Sequence, residues 1–197
     1  MDGRRSAERD LERIRALMER AGRYSNLSGC AAAAAGALAA AGAALCWKLG
    51  IRFGLPGQAR ELAAVWGAVF ALALAQAVAF TVLHARRRGE PAWSPIARQA
   101  VAAMLPAAFM GAAVTGYGFW SGRTELLPPL WMLSYGSSLM GLGLLADGRV
   151  RGVAALFLLL GAAALFAGTD RGLLLMLVSF GGFHLLLGAL ILWKPRP

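Results

Sequence analysis

Six runs of apolar residues, each bounded by charged or turn-forming residues, constrain this chain more than any other feature. They cover residues 27–47, 62–83, 99–120, 126–145, 153–168 and 172–193. An α-helix needs about 20 mostly apolar residues to cross a hydrocarbon layer of about 30 Å. Five of the runs reach that length, and 153–168 must borrow from its flanks. The chain is 58% hydrophobic and 15% charged over 197 residues, with a mean hydropathy of +0.59. One soluble core could not bury that much apolar surface. The expected fold is therefore all-α: a polytopic membrane protein with six transmembrane helices. Soluble enzymes, secreted disulfide scaffolds and disordered chains are excluded by the same composition.

The first run is rich in Ala, which favours a place against neighbouring helices over a lipid-facing one. Pro106 interrupts the third run and predicts a kink there. Trp47, Trp120 and Trp193 stand at or near the ends of runs, where the interfacial aromatic belt lies. Trp66 and Trp131 lie about a turn inside.

Charge sets the expected orientation. Fifteen of the twenty basic residues fall on one side of the alternating threading: the N-terminal arm, Arg86, Arg87, Arg88, Arg98, Arg149, Arg151, Lys194 and Arg196. Lys48, Arg52, Arg60, Arg123 and Arg171 fall on the other. The positive-inside rule places both termini in the cytoplasm of a bacterial cell, with the protein in its inner membrane. The net charge of +10 is then matched by anionic lipid headgroups, so nucleic acid is not an expected partner.

Residues 1–26 differ in kind. Leu11, Ile14, Leu17, Met18 and Ala21 recur at spacings of three and four, the period of one helix face. This predicts an amphipathic cytoplasmic helix whose Arg9, Arg13, Arg20 and Arg23, with Leu11, Ile14 and Met18, contact the inner leaflet or a protein partner. Ser25, Asn26 and Ser28 offer capping oxygens where the first membrane helix begins.

Few groups at membrane depth carry chemistry. His184 sits in the middle of the last run, and an ionisable group there is a candidate functional residue because burying it is costly. The alternative is an imidazole hydrogen-bonded to a neighbouring Ser, Tyr or carbonyl. His84 stands at the end of the second run, too far in depth to share a metal with His184. A haem held by His184 of two subunits is a further reading. Tyr135 and Ser138 on the fourth run, with His184, form a candidate ligand-binding group between the third, fourth and sixth helices. Ser134, Ser137 and Ser138 share a face, and Ser137 with Gly141 forms a small-residue pair suited to helix packing. Ser134-Tyr135-Gly136 and Ser179-Phe180-Gly181 repeat at an offset of 45 residues, and Gly143 maps onto Gly188.

Leu27-Ser28-Gly29-Cys30 has the form of a lipobox, but a charged segment precedes it where a signal peptide needs its apolar stretch. Cys30 and Cys46 are about 24 Å apart along one helix at 1.5 Å per residue, so they cannot bridge within a chain. No Asp, Glu, Lys or Arg lies well inside any run, which weighs against proton-coupled transport and acidic ion channels. No Walker A, HExxH, GxSxG or CxxC pattern is present. No enzymatic activity, metal or cofactor is expected.

Leu17-Met18-Glu19-Arg20, then Tyr24-Ser25-Asn26-Leu27-Ser28-Gly29, and finally Phe180-Gly181-Gly182-Phe183-His184 form a pattern at the two ends of the chain. On these residues the chain resembles an uncharacterised group of small bacterial multi-pass membrane proteins. The resemblance carries no assigned activity, substrate or cofactor. It implies that Gly181, Gly182 and His184 belong to the group's pattern, and it favours a sensory, regulatory or partner-binding role beside a cytoplasmic protein or a second copy of the chain. The alternative expectation is a small permease using Tyr135, Ser138 and His184.

Overall fold

The computed structural model describes residues 27–89, 91–166 and 171–193, and among them it contains helices, turns and no strand. The amphipathic helix expected over residues 1–26, with Arg9, Leu11, Arg13, Ile14, Met18, Arg20 and Arg23, lies outside the described residues. Each apolar run is occupied by a helix: α1 (Gly29–Leu49), α2 (Ala59–Arg87), α3 (Pro95–Ser121), α4 (Leu127–Leu145), α5 (Gly148–Ala164) and α6 (Gly172–Leu192). Four of these, α1, α2, α3 and α6, are long and apolar enough to cross a membrane. The other two are α4, with 19 residues including Pro128, Pro129 and three serines, and α5, with 17.

Helix boundaries move where caps overrule the apolar pattern. The fifth helix, expected over 153–168, spans Gly148–Ala164 because the Asp147 carboxylate accepts from the Arg149 amide at 3.1 Å and starts the helix there. Arg149 and Arg151 are thereby drawn into the first turn. Ser94 likewise accepts from the Ala97 amide at 3.3 Å, and Pro95 follows at N1, so α3 begins four residues before its apolar run. Ser28 caps α1 through the Ala31 amide at 3.2 Å. Gly50, at φ 70°, closes α1 in the left-handed conformation, with its amide directed at the Cys46 and Trp47 carbonyls. Helix α3 continues through Pro106.

The helices form an arc. Helix α1 packs against α2 and α6, α4 packs against α3 and α5, and α6 also touches α4 and α5. Glycine allows the closest approaches. A Cβ on Gly188 would lie 2.8 Å from the Gly29 carbonyl oxygen and 2.9 Å from the Ala33 nitrogen. One on Gly36 would lie 2.7 Å from the Gly181 carbonyl oxygen, and one on Gly141 2.7 Å from that of Ala103. The α1–α6 and α3–α4 seams are therefore backbone-to-backbone. In lipid, where no hydrophobic force drives helices together, such van der Waals contact supplies much of the attraction. Helices α2 and α3 are covered least: 11% and 6% of their most apolar windows are buried, against 39% and 33% for α1 and α6.

Two apolar clusters fill the interior. One lies at the end bearing the α1–α2 loop and includes Cys46, Phe53, Leu62, Trp66, Leu127 and Met176. The other lies towards the arginine-rich end and includes Met132, Leu139, Val150, Val153, Phe157 and Leu187. Phe180 borders both. At the arginine-rich end the Arg149 guanidinium donates to the Leu190 carbonyl, placing a cation on the last turn of α6.

Candidate functional site

The middle of α6 departs from α-helical geometry. Residues Leu177–Phe183 form a π-helical segment with i→i+5 spacing, a feature found often at functional sites. Gly181 and Gly182 lie within it. Ser179, fully buried, donates to the Leu175 carbonyl at 2.6 Å, competing with the backbone for that acceptor. The segment ends at His184, whose amide is directed at the Gly181 carbonyl.

His184 is 8% exposed, and its Nε2 lies 2.7 Å from the Tyr135 hydroxyl of α4. Aromatic rings surround the pair. Phe157 of α5 meets Tyr135 with centroids 5.0 Å apart and His184 at 5.6 Å, both edge-on. Phe180 stacks on His184 at 6.0 Å and 21°, and Phe183 packs edge-on against Phe157 at 5.2 Å. The His184 Nδ1 is buried without a hydrogen-bond partner. It points towards the Phe180 carbonyl, and the contact falls short of hydrogen-bond geometry.

Of the three residues expected to share a ligand, the structure brings two together. Ser138 is buried, but its hydroxyl donates to the Met104 carbonyl of α3 at 3.2 Å. It therefore belongs to the α3–α4 seam with Ser134, which packs on Gly111, and Gly141, which packs on Ala103. Spacing alone could not separate these faces: positions 135 and 138 are neighbours on a helix, yet Tyr135 meets α5 and α6 whereas Ser138 meets α3. Haem ligation by His184 would have to displace the Tyr135 hydroxyl from Nε2. No group of three or more His, Cys, Asp or Glu among the described residues could hold a metal ion. His84 lies in the last turn of α2.

Several other polar groups within the helices are turned on one another or on their own backbone, though the Gln76 Oε1 is buried without a partner. Gln76 donates to the Ala31 carbonyl of α1 at 3.1 Å, and the Trp131 indole donates to the Thr115 hydroxyl of α3 at 2.7 Å. Thr115, Ser134 and Thr81 each donate to the carbonyl four residues back.

Sequence reasoning missed a second aromatic group. Phe53, from the α1–α2 loop, packs on both Trp66 and Trp131 with centroids 6.1 and 5.9 Å away, and the two indoles meet each other at 6.2 Å. The loop is fastened by the Gly54 amide, which donates to the Thr124 hydroxyl at 2.9 Å. Trp66 is 6% exposed, and its indole nitrogen is buried without a partner. A lone Phe in a Gly- and Pro-containing loop carries no periodic signal. A cavity of about 30 Å³, lined by Glu125, Pro128, Leu165 and Gly172 among others, lies at this same end and away from Tyr135 and His184.

The repeat at an offset of 45 residues has structural counterparts. Ser134 and Ser179 bond back to Leu130 and Leu175 alike, and the Tyr135 and Phe180 rings face each other at 5.4 Å. Gly136 packs on α5, whereas Gly181 packs on α1.

No family model matches the chain, and neither does any curated protein or solved structure.

Proposed function

We propose that this chain is a non-enzymatic protein of the bacterial inner membrane, crossing it six times with both termini in the cytoplasm. On this reading it belongs with the small multi-pass group it resembles. Its role is sensory, regulatory or partner-binding, exercised through the arginine-rich segment 1–26 on lipid headgroups or a cytoplasmic protein. The observation that carries the reading is the use made of polar groups inside the helices. Gln76, Thr115, Trp131, Ser134, Ser138 and Ser179 all bond to the chain itself. A solute path needs such groups turned to a lumen, and at one end Phe53, Trp66 and Trp131 pack on one another.

Topology is tested in a chain carrying Cys30→Ala and Cys46→Ala, with single reporters Ser6→Cys, Gly57→Cys and Pro197→Cys. A membrane-impermeant thiol reagent applied to intact cells should label Gly57→Cys alone. Labelling of one terminus and not the other would overturn the threading. Removal of residues 1–24 should leave the membrane body folded and abolish co-purification of any cytoplasmic partner. Unchanged cytoplasmic contacts after that deletion would refute the assigned role of the segment.

A second reading, a small permease using Tyr135, Ser138 and His184, draws on the unmatched Nδ1 of His184. The engagement of Ser138 by Met104 counts against it.

A further inference from the structure

The arginines at the arginine-rich end fall into two kinds. Arg149 is half-buried and donates to the Leu190 carbonyl, so its charge serves the bundle. Arg86 and Arg87, in the last turn of α2, and Arg98, in the first turn of α3, are exposed. Their guanidinium groups have no hydrogen-bond or ion-pair partner among the described residues. Residues 86–98 carry four arginines and one acid, Glu90. The positive charge is thus concentrated where α2 ends and α3 begins.

On each helix an apolar stripe leads up to that charge. Phe80 and Leu83 precede Arg87 by seven and four residues, and Val101 and Leu105 follow Arg98 by three and seven, spacings that set each trio on one helix face. All four apolar side chains are exposed. Both arginine ends adjoin the same short turn, residues 88–94, so the two stripes finish at one level. Although consecutive, α2 packs on α1 and α3 on α4, and the two scarcely meet each other. Trp93, in the turn between them, is 65% exposed, and Trp is the residue type that settles among lipid headgroups.

The occupant of such a surface must join an anion to apolar chains. Guanidinium groups pair with phosphate through forked N–H donors. A soluble phosphate would satisfy the arginines and leave the stripes bare, and a zwitterionic lipid would bring its own cation among them. We infer that the α2–α3 turn holds an anionic phospholipid of the phosphatidylglycerol kind, its phosphate on the three arginines and its acyl chains along the two stripes. This site is separate from the segment 1–26, and it requires only that α2 and α3, both long and apolar enough to span, sit in a bilayer.

The test uses the full protein in nanodiscs of phosphatidylcholine. Bromine is placed near the headgroup end of the acyl chains, either on a minor phosphatidylglycerol component or on an equal share of the phosphatidylcholine. Bromine quenches tryptophan on contact, and comparison with Trp93→Phe isolates the Trp93 signal. Brominated phosphatidylglycerol should quench Trp93 at a lower mole fraction than brominated phosphatidylcholine does. With Arg86→Gln, Arg87→Gln and Arg98→Gln together, the phosphatidylglycerol fraction giving half-maximal quenching should rise about tenfold. Arg60→Gln with Arg123→Gln, at the opposite end, should leave it unchanged, as should Arg9→Gln, Arg13→Gln, Arg20→Gln and Arg23→Gln together. Equal quenching by the two lipids in the wild-type protein would overturn the inference, as would a preference that survives the triple substitution or falls equally with Arg60 and Arg123. Loss of the preference with the N-terminal arginines would move the lipid to that segment and overturn it too. Displacement by glycerol 3-phosphate at constant ionic strength would give the arginines to a soluble phosphate, against the inference. Since threading is read by thiol labelling, failure here leaves the six-pass reading standing.

Discussion

Helices α1, α4 and α6 set every glycine between their ends against a neighbour, whereas the flanking pair α2 and α3 leaves some of its glycines facing open space. In the first set glycine lets backbones meet: Gly29, Gly36 and Gly188 between α1 and α6, and Gly136 and Gly161 between α4 and α5. In the flanking pair, Gly67 of α2 and Gly116 of α3 have nothing within 4 Å of where a Cβ would stand, whereas Gly111 and Gly118 of α3 face Ser134 and Leu127 of α4. A glycine count therefore says little about packing, and what each glycine faces decides its role. The difference teaches that the stability of this bundle is concentrated in a few seams, the α3–α4 seam among them, while the remaining faces of α2 and α3 serve largely as its cover.

Four substitutions test that contrast, in falling order of effect. Phe157→Ala removes a side chain that is fully buried and touches the rings of Tyr135, Phe180, Phe183 and His184. It should cost about 3 kcal/mol, the low end for such truncations because lipid does not supply the water-transfer part. Reversible unfolding in mixed micelles would measure it, and a loss near zero would deny that the aromatic group is a stability centre. Gly188→Ala drives a methyl into the Gly29 carbonyl and the Ala33 nitrogen, with an expected loss of about 1–3 kcal/mol by the same assay. Thr115→Val leaves the Trp131 indole without its acceptor, for about 1 kcal/mol, and the Trp fluorescence spectrum should report the change. Gly116→Ala should lie within about 0.5 kcal/mol of the wild type. A large loss there, but not at Gly188, would invert the comparison.

Much of the architecture was legible in the chain because long apolar runs have one physical solution in lipid. The limits of those runs were less legible. Asp147 and Ser94 start helices outside the apolar stretches, as a capping bond outweighs the hydropathy of the next few residues. At the candidate site, Tyr135 and His184 could be picked out as rare polar groups at depth. A hydrogen bond from His184 to a Ser, a Tyr or a carbonyl was among the readings, but which of them it meets could not be told, because that is set by how α4 and α6 pack. Ser138 was grouped with them by proximity in sequence, whereas its bond goes to α3. Phe157 and Phe53 passed unnoticed among many apolar residues, because what distinguishes them is tertiary contact alone.

The wide turn also gives α6 an unusual arithmetic. An i→i+5 hydrogen bond spans one residue more than an i→i+4 bond, so Leu177–Phe183 holds slack that the other described helices lack. Losing Gly182 would let the segment tighten into an ordinary helix, keeping Ser179 and Gly188 in phase with their neighbours. The same loss in the middle of α4 would turn everything beyond it by about 100° and scatter its contacts. A one-residue deletion should therefore be tolerated in the last helix at one place, beside the point where Tyr135 holds His184.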